Sequence, residues 1–301
     1  MSSDLRRLSN TKGSRTMNHP RKIDLHMHTN VSDGTDTPKE IIGRVKEAGI
    51  DLFSVTDHDA IKGCVIVRKA LREGDPSFIP GVEFSCKDEE GQYHILGYGY
   101  DTESGAIKEI VEKGHGFRIG KLQKRLDYLK NEFGFSFSND DVSALFSLDN
   151  PGKPHIGNLM VRYGYAPTKE EAISRYINGF HAGSEYVRPE EAINAIKKAG
   201  GIPVLAHPSY GRGDELILGD EMNGRLHRLV GYGLMGVEAF YSGFTPKLQK
   251  EMLDFAKAYD LYVTAGSDYH GKNKLVRPAD TNLPDESEYP RGLIGFLNAV
   301  L

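Results

Sequence analysis

The chain has 301 residues, 39% of them hydrophobic and 27% charged, so it can bury a sizeable core and is neither fibrous nor low in complexity. A formal net charge of −4 excludes a protein that coats nucleic acid with a basic face. Two cysteines, Cys64 and Cys86, are too few for a disulfide scaffold and suit a reducing cytosol, and no apolar run is long enough to span a bilayer.

Residues 1–20 open with MSSDLRRLSNTKGSRT, a polar, basic stretch without periodicity and without the apolar segment of a secretory signal. They read as a disordered leader, with Met17 as an alternative start. Asp4 and the lack of an amphipathic face argue against a transit peptide. From Lys22 the chain alternates apolar runs with helical patterns. KIDLHMH reads as a strand, and TPKEIIGRVKEAG as a helix opened by Thr37 and Pro38 and closed at Gly49. DLFSVTDH is the next strand, followed by a helix from about Ala60 to Arg72. SFIPGVEFSC and QYHILGYGY are separated by the turn-like KDEEG and suggest a hairpin-like pair. Later, GIPVLAH, GLMGVEAF and LYVTAGSD read as buried strands between the helices RPEEAINAIKKAG and TPKLQKEMLDFAKAYD. This alternation predicts parallel strands with helical crossovers, in a barrel or an open sheet.

Residues 102–185 break the rhythm. IKEIVEKGHGFRIGKLQKRLDYLKNEFG, SNDDVSALFSL, HIGNLMVRYG and TKEEAISRYING are all helical, with no strand candidate among them. The expected organisation is a barrel in two parts, 21–101 and 186–301, with a helical cap inserted between them.

The histidines decide the chemistry. Of eleven, His26, His28, His58, His94, His155, His207 and His270 fall at or beside a strand end or helix start, accompanied by Asp33, Asp57, Glu83 and Asp268. One such histidine is ordinarily a structural residue. Seven with four acids, on strands expected to point the same way, read as a metal site on the shared rim of strand ends. His19, His115, His181 and His227 lack this placement and read as structural.

Taken in order, DLHMHTNVSDG, VTDHD, GVEFS, HILGY, KPHIG, LAHP and GSDYH resemble the PHP family of polymerase-and-histidinol-phosphatase metal phosphoesterases, from about Lys22 to His270. The resemblance implies a distorted (β/α)7 barrel with a helical insertion, of the stand-alone type similar to nucleotide and nucleoside 3′,5′-bisphosphate phosphatases. It implies three divalent ions: one on His26, His28, Glu83 and Asp268, a second on Asp33, His58 and His270, and a third on Glu83, His94 and His155. Donors of nitrogen and oxygen without thiolate suit Mn, Zn or Fe.

Such a cluster lowers the pKa of bound water towards about 7, and a bridging hydroxide would attack the phosphate ester. His207 remains as an acid for the leaving oxygen or as a group that orients substrate, with a structural or metal-linked role equally open. Asp57 would orient an imidazole. Arg118, Lys121, Arg162 and Arg212 are candidate anchors for a second phosphate, with Lys153 beside them, and Tyr241 would line the pocket mouth. The expected activity is a cytoplasmic phosphatase on nucleotides. The alternatives are a 5′→3′ exonuclease on short RNA or DNA, histidinol phosphatase, and a silent metal-stabilised regulatory module. No obligate protein partner is evident.

Overall fold

The computed structural model describes residues 19–180, 185–210 and 215–301. Most of the leader and Arg212 therefore lie outside the described residues. Seven strands form one sheet in sequence order: β1 (Ile23–Asp24), β2 (Leu52–Val55), β3 (Ser77–Lys87), β4 (Gln92–Tyr98), β5 (Ile202–Leu205), β6 (Gly236–Tyr241) and β7 (Tyr262–Gly266). The edges meet: Leu25 N–H donates to Ala265 O at 2.9 Å, and Met27 bridges Tyr269 in parallel. The result is the seven-stranded α/β barrel expected of this sequence.

The expected hairpin of β3 and β4 sets the exception to the parallel pattern. Pairing is parallel throughout except at β4, which runs antiparallel to both β3 and β5. KDEEG is too short for a crossover, so β4 must return beside β3, as hairpin geometry requires. His94 lies near the start of β4, and reversal puts that start on the rim where the other strands end.

The helices around the barrel follow their sequence signals. Helix α1 (Pro38–Glu47) starts in a capping box, with Thr37 Oγ1 accepting Glu40 N–H while Glu40 accepts Thr37 N–H. Helix α2 (Lys62–Ala70) is shorter than predicted at both ends. Three more helices interleave with the late strands: α7 (Pro189–Lys198), α8 (Gly219–Tyr232) and α9 (Pro246–Ala258). Helix α10 (Arg291–Val300) closes the chain against β7.

The insertion starts with α3 (Gly105–Phe133), whose 29 residues span about 44 Å. Ile107 and Ile110 belong to the barrel core, whereas Leu122, Leu126 and Leu129 belong to a separate core with Leu145, Ile156 and Met160. A single helix thus joins barrel and cap. The cap continues with α4 (Asn139–Phe146), α5 (Lys153–Arg162) and α6 (Lys169–Glu171). TKEEAISRYING, read as one helix, instead passes from α6 into a π turn at Ala172–Tyr176 and a 3₁₀ turn at Ile177–Gly179. No helix among the described residues is long and apolar enough to cross a membrane.

Candidate metal centre

Glu83 is the hub of the rim. It is buried, and its Oε2 lies 3.2 Å from His26 Nε2, 3.1 Å from His28 Nε2 and 3.2 Å from His58 Nδ1. Its Oε1 lies 2.9 Å from His94 Nδ1 and 3.2 Å from His207 Nε2. The backbone explains the convergence. Pairing of β2 with β3 continues past Val55, so that Asp59 N–H donates to Glu83 O and His58 stands beside Glu83. Barrel closure does the same for the other pair, because Asp268 N–H donates to His26 O and His28 N–H to Tyr269 O.

Among the described residues three groups of donor atoms result, each with its atoms within 4.8 Å of one another: His28, Asp33, His58 and His270; His26, His28 and Asp268; and His58, Glu83 and His94. Asp268 Oδ1 lies 3.5, 3.4 and 3.3 Å from His26 Nε2, His28 Nε2 and His270 Nδ1. Its other oxygen, Oδ2, accepts from Tyr241 Oη at 2.9 Å and from Lys274 Nζ. Asp59, His207 and Asp268 all have positive φ, the kind of backbone strain that collects at functional sites.

The donors fit divalent cations. His26 Nε2, His28 Nε2, His58 Nδ1, Asp33 Oδ1 and Glu83 Oε2 are buried and close together, yet none has a hydrogen-bond partner. Buried polar atoms without partners are costly, and cations held by these groups would satisfy them. Charge tells the same story. Burial works against ionising Glu83, but the surrounding imidazoles of His58, His26 and His94 hold its carboxyl well below the usual range. Asp33 and Asp268 are held down likewise against their burial, Asp33 first by His58 and Asp268 first by His26. Burial opposes the His28 charge, yet Asp268 and Glu83 raise its pKa to about 9. Carboxylates that stay ionised when buried are the donors a cation needs. The two cysteines are buried and take no part in these groups.

The remaining sequence candidates fall differently. His155 is on α5, where its Nδ1 accepts Gly152 N–H at 3.1 Å, and it has no close contact with Glu83 or His94. His207 Nε2 lies 3.2 Å from His94 Nδ1. Asp57 meets no imidazole directly. Its carboxylate accepts from Thr29 N–H, Thr29 Oγ1 and Ser32 Oγ, and only Ser32 reaches His28, at 3.4 Å. Asp57 therefore fixes the turn after the H-x-H pair rather than facing the rim. Arg162 is exposed on the cap and pairs with Asp141.

A recess of about 280 Å³ opens beside the cluster, lined by Asp33, His58 and His94 on one side and Arg118, Lys121 and Arg125 on the other. Lys153 and Tyr186 also line it. Arg118 is already paired, its Nε donating to Asp59 Oδ2 at 2.6 Å and its Nη2 to Ser85 Oγ at 2.8 Å. Lys121 sits over the Tyr186 ring at 3.5 Å, and Arg125 Nε is buried without an acceptor. Burial lowers the pKa of both groups. Arg125 was not among the sequence candidates, although its spacing of four from Lys121 and seven from Arg118 marks one helical face. Glu238 is a further site residue, and its signal in the sequence is that of a lone acid in the apolar run GVEAF.

The chain is similar to several bacterial proteins. It is 28% identical over 260 residues to a 5′-3′ exoribonuclease of Haemophilus influenzae, covering 83% of this chain and 90% of that one. It is 28% identical to a phosphoribosyl 1,2-cyclic phosphate 1,2-diphosphodiesterase of Eggerthella lenta, covering 83% and 94%. It is also 28% identical to a 3′,5′-nucleoside bisphosphate phosphatase of Chromobacterium violaceum, covering 82% and 87%. A crystal structure of a candidate metal-dependent phosphoesterase from Bifidobacterium adolescentis superposes with a TM-score of 0.78 at 28% identity, covering 94% of this chain and 98% of that one. With the donor groups described above, the class is that of the metal-dependent phosphoesterases, a class of hydrolases. The PHP domain family matches residues 24–260, and the chain belongs to it.

Proposed function

We propose that this enzyme removes a phosphate monoester from a small nucleotide and favours a nucleoside 3′,5′-bisphosphate. The relatives' names span monoester and diester chemistry, so the substrate is argued from this chain's own recess. The observation that carries the reading is the pair Lys121 and Arg125, two cations without a carboxylate partner among the described residues, in a recess that runs onto the cluster. Burial disfavours their charge, and an anionic group placed between them would relieve that cost. A second phosphate, one that does not react, is such a group. The recess is at the small end of ligand pockets, which suits a mononucleotide better than a long strand.

Three divalent ions are assigned to His26, His28 and Asp268; to Asp33, His58 and His270; and to Glu83, His94 and His207, with His28, His58 and Glu83 placed to be shared. Mn, Zn and Fe all suit such donors. When bound, the ions would supply a water nucleophile active at neutral pH and offset charge on the phosphoryl oxygens. The chain's own residues hold that centre: Tyr241 and Lys274 fix Asp268, and the Asp57–Ser32 contact fixes His28. Residues 102–185 act as a cap that presents Lys121 and Arg125 to the substrate. Two buried free thiols suit work in a reducing cytoplasm.

A second reading is a 5′→3′ exonuclease on short RNA or DNA oligomers. A smaller recess of about 100 Å³, lined by Tyr93, His207 and Tyr210, shares Gln92 and His94 with the first. Together they offer a longer path past the cluster. The deciding assay measures phosphate released by the Mn²⁺-loaded enzyme from a nucleoside 3′,5′-bisphosphate and from the matching monophosphate. A 5′-phosphorylated RNA oligomer is run alongside, with its products resolved by length. The bisphosphate should be the best of the three, and stepwise shortening of the oligomer at an equal or higher rate would replace the phosphatase reading.

A further inference from the structure

Glu238 lies within β6 with no exposed surface. An acid buried there is costly unless both oxygens are satisfied, and both are. Oε1 lies 3.0 Å from His26 Nδ1, and Oε2 accepts the His207 backbone N–H at 2.8 Å. The His26 ring therefore stands between two carboxylates, with Nδ1 towards Glu238 and Nε2 towards Glu83 at 3.2 Å.

Two further observations show that this placement is specified. A Cβ on Gly266 would lie 2.3 Å from Glu238 Oε1 and 2.3 Å from His26 Cβ, so only glycine leaves room for the pair. His207 has φ of 26°, a conformation that persists only where surrounding contacts fix it. The Glu238 bond to its N–H is one such contact.

We propose that Glu238 is a positioning residue that serves two parts of the metal centre at once. By accepting the Nδ1 proton of His26 it commits Nε2 to the ion, and by accepting the His207 N–H it holds the turn that sets the His207 ring beside Glu83 and His94. A carboxylate behind a ligating histidine fixes both the ring and its tautomer. Here one carboxylate also holds the main chain of a second histidine, so its loss reaches both. The inference needs metal binding but no particular substrate, and it stands whether the phosphatase or the exonuclease reading holds.

The test uses the full chain and Mn²⁺. Both partners of Glu238 donate, and a glutamine has only one acceptor oxygen, so Glu238→Gln must set an amide N–H against one of them. Chelator competition should show the affinity for the weakest-held equivalent of Mn²⁺ lowered ten- to a hundredfold, with the circular dichroism of the metal-free chain unchanged. Unchanged Mn²⁺ affinity in the folded variant overturns the proposal. A second measurement needs no Glu238 variant: long-range ¹⁵N–¹H correlation of the Zn²⁺-loaded natural chain. His26, identified by the loss of its signals in His26→Gln, should carry its proton on Nδ1, and a bare Nδ1 there would sink the idea independently.

Discussion

His207 Nε2 lies 3.2 Å from Glu83 Oε1, the same oxygen that faces His94 Nδ1 at 2.9 Å. With the two imidazole nitrogens 3.2 Å apart, the three atoms form a small triangle. Such a triangle suits a shared cation better than a free acid. We therefore expect His207→Ala to retain fewer metal equivalents by elemental analysis than the natural chain. The loss of activity should be similar on p-nitrophenyl phosphate and on a nucleotide. Full metal content with a loss of about 10²–10⁴ confined to the poorer leaving group would restore His207 as the proton donor.

Glu83 supports a sharper expectation. Both of its oxygens serve donor groups, so Glu83→Ala should lower metal content by more than one equivalent and abolish turnover. Removing the carboxylate leaves neighbouring cations without a shared counter-charge. A folded Glu83→Ala chain with unchanged metal would overturn the assignment of Glu83 as the hub.

Metal loading should release protons. His28 carries a pKa of about 9 because Asp268 and Glu83 outweigh the effect of its burial, so the metal-free chain holds that proton at pH 7. A cation on Nε2 must displace it. Affinity should therefore rise with pH up to about 9 and level off above. The sign for stability is opposite. The His28 imidazolium contributes fully below its ordinary pKa of 6.5, and that contribution is lost as pH rises through about 9. Titrating Mn²⁺ into weakly buffered, metal-free protein with an indicator dye reads the release directly, and no release at pH 7 would refute it.

The barrel and most of the donor set were legible because the H-x-H pair, GVE, LAH and GSD each end a short apolar run, and strand ends share a rim. The hairpin of β3 and β4 was legible too, from the brevity of KDEEG. What the sequence concealed was direction and reach. Only pairing with two antiparallel neighbours shows that the start of β4 is at the rim, which carries His94 there. His155 and His207 look alike as residues beside a helix start and a strand end, yet only one reaches Glu83. Asp57 adjoins His58 in the chain but turns to Thr29 and Ser32, a choice made by the approach of the β1 turn. Glu238 was hidden among apolar neighbours, as its partners lie 212 and 31 residues away.

Arg162 gives a control. Its guanidinium pairs with Asp141 at the exposed surface of the cap, where solvent screens an ion pair. Arg162→Ala should leave kcat/KM unchanged for every substrate and shift the thermal midpoint by at most a few degrees. A selective loss on the bisphosphate would mean that the cap turns this face to the substrate.

The last expectation concerns the cations of the recess. Among the described residues Lys121 and Arg125 have no carboxylate partner, whereas Arg118 is bound to Asp59 and Ser85. Lys121→Ala and Arg125→Ala should therefore lower kcat/KM for a nucleoside 3′,5′-bisphosphate while sparing the matching monophosphate. A hydrogen bond to a charged group is worth about 1.5–3 kcal/mol, which corresponds to roughly ten- to a hundredfold. Arg118→Ala should behave differently. It leaves Asp59, which is buried, without its counter-charge, and Asp59 also accepts Ser85 N–H on β3. Both substrates should then suffer, through a rim that is less well held. The measurement is phosphate release at matched metal content, confirmed by elemental analysis for each variant. Equal losses on both nucleotides in Lys121→Ala and Arg125→Ala would remove the second-phosphate subsite, because a group that contacts only the non-reacting phosphate cannot affect a substrate that lacks it.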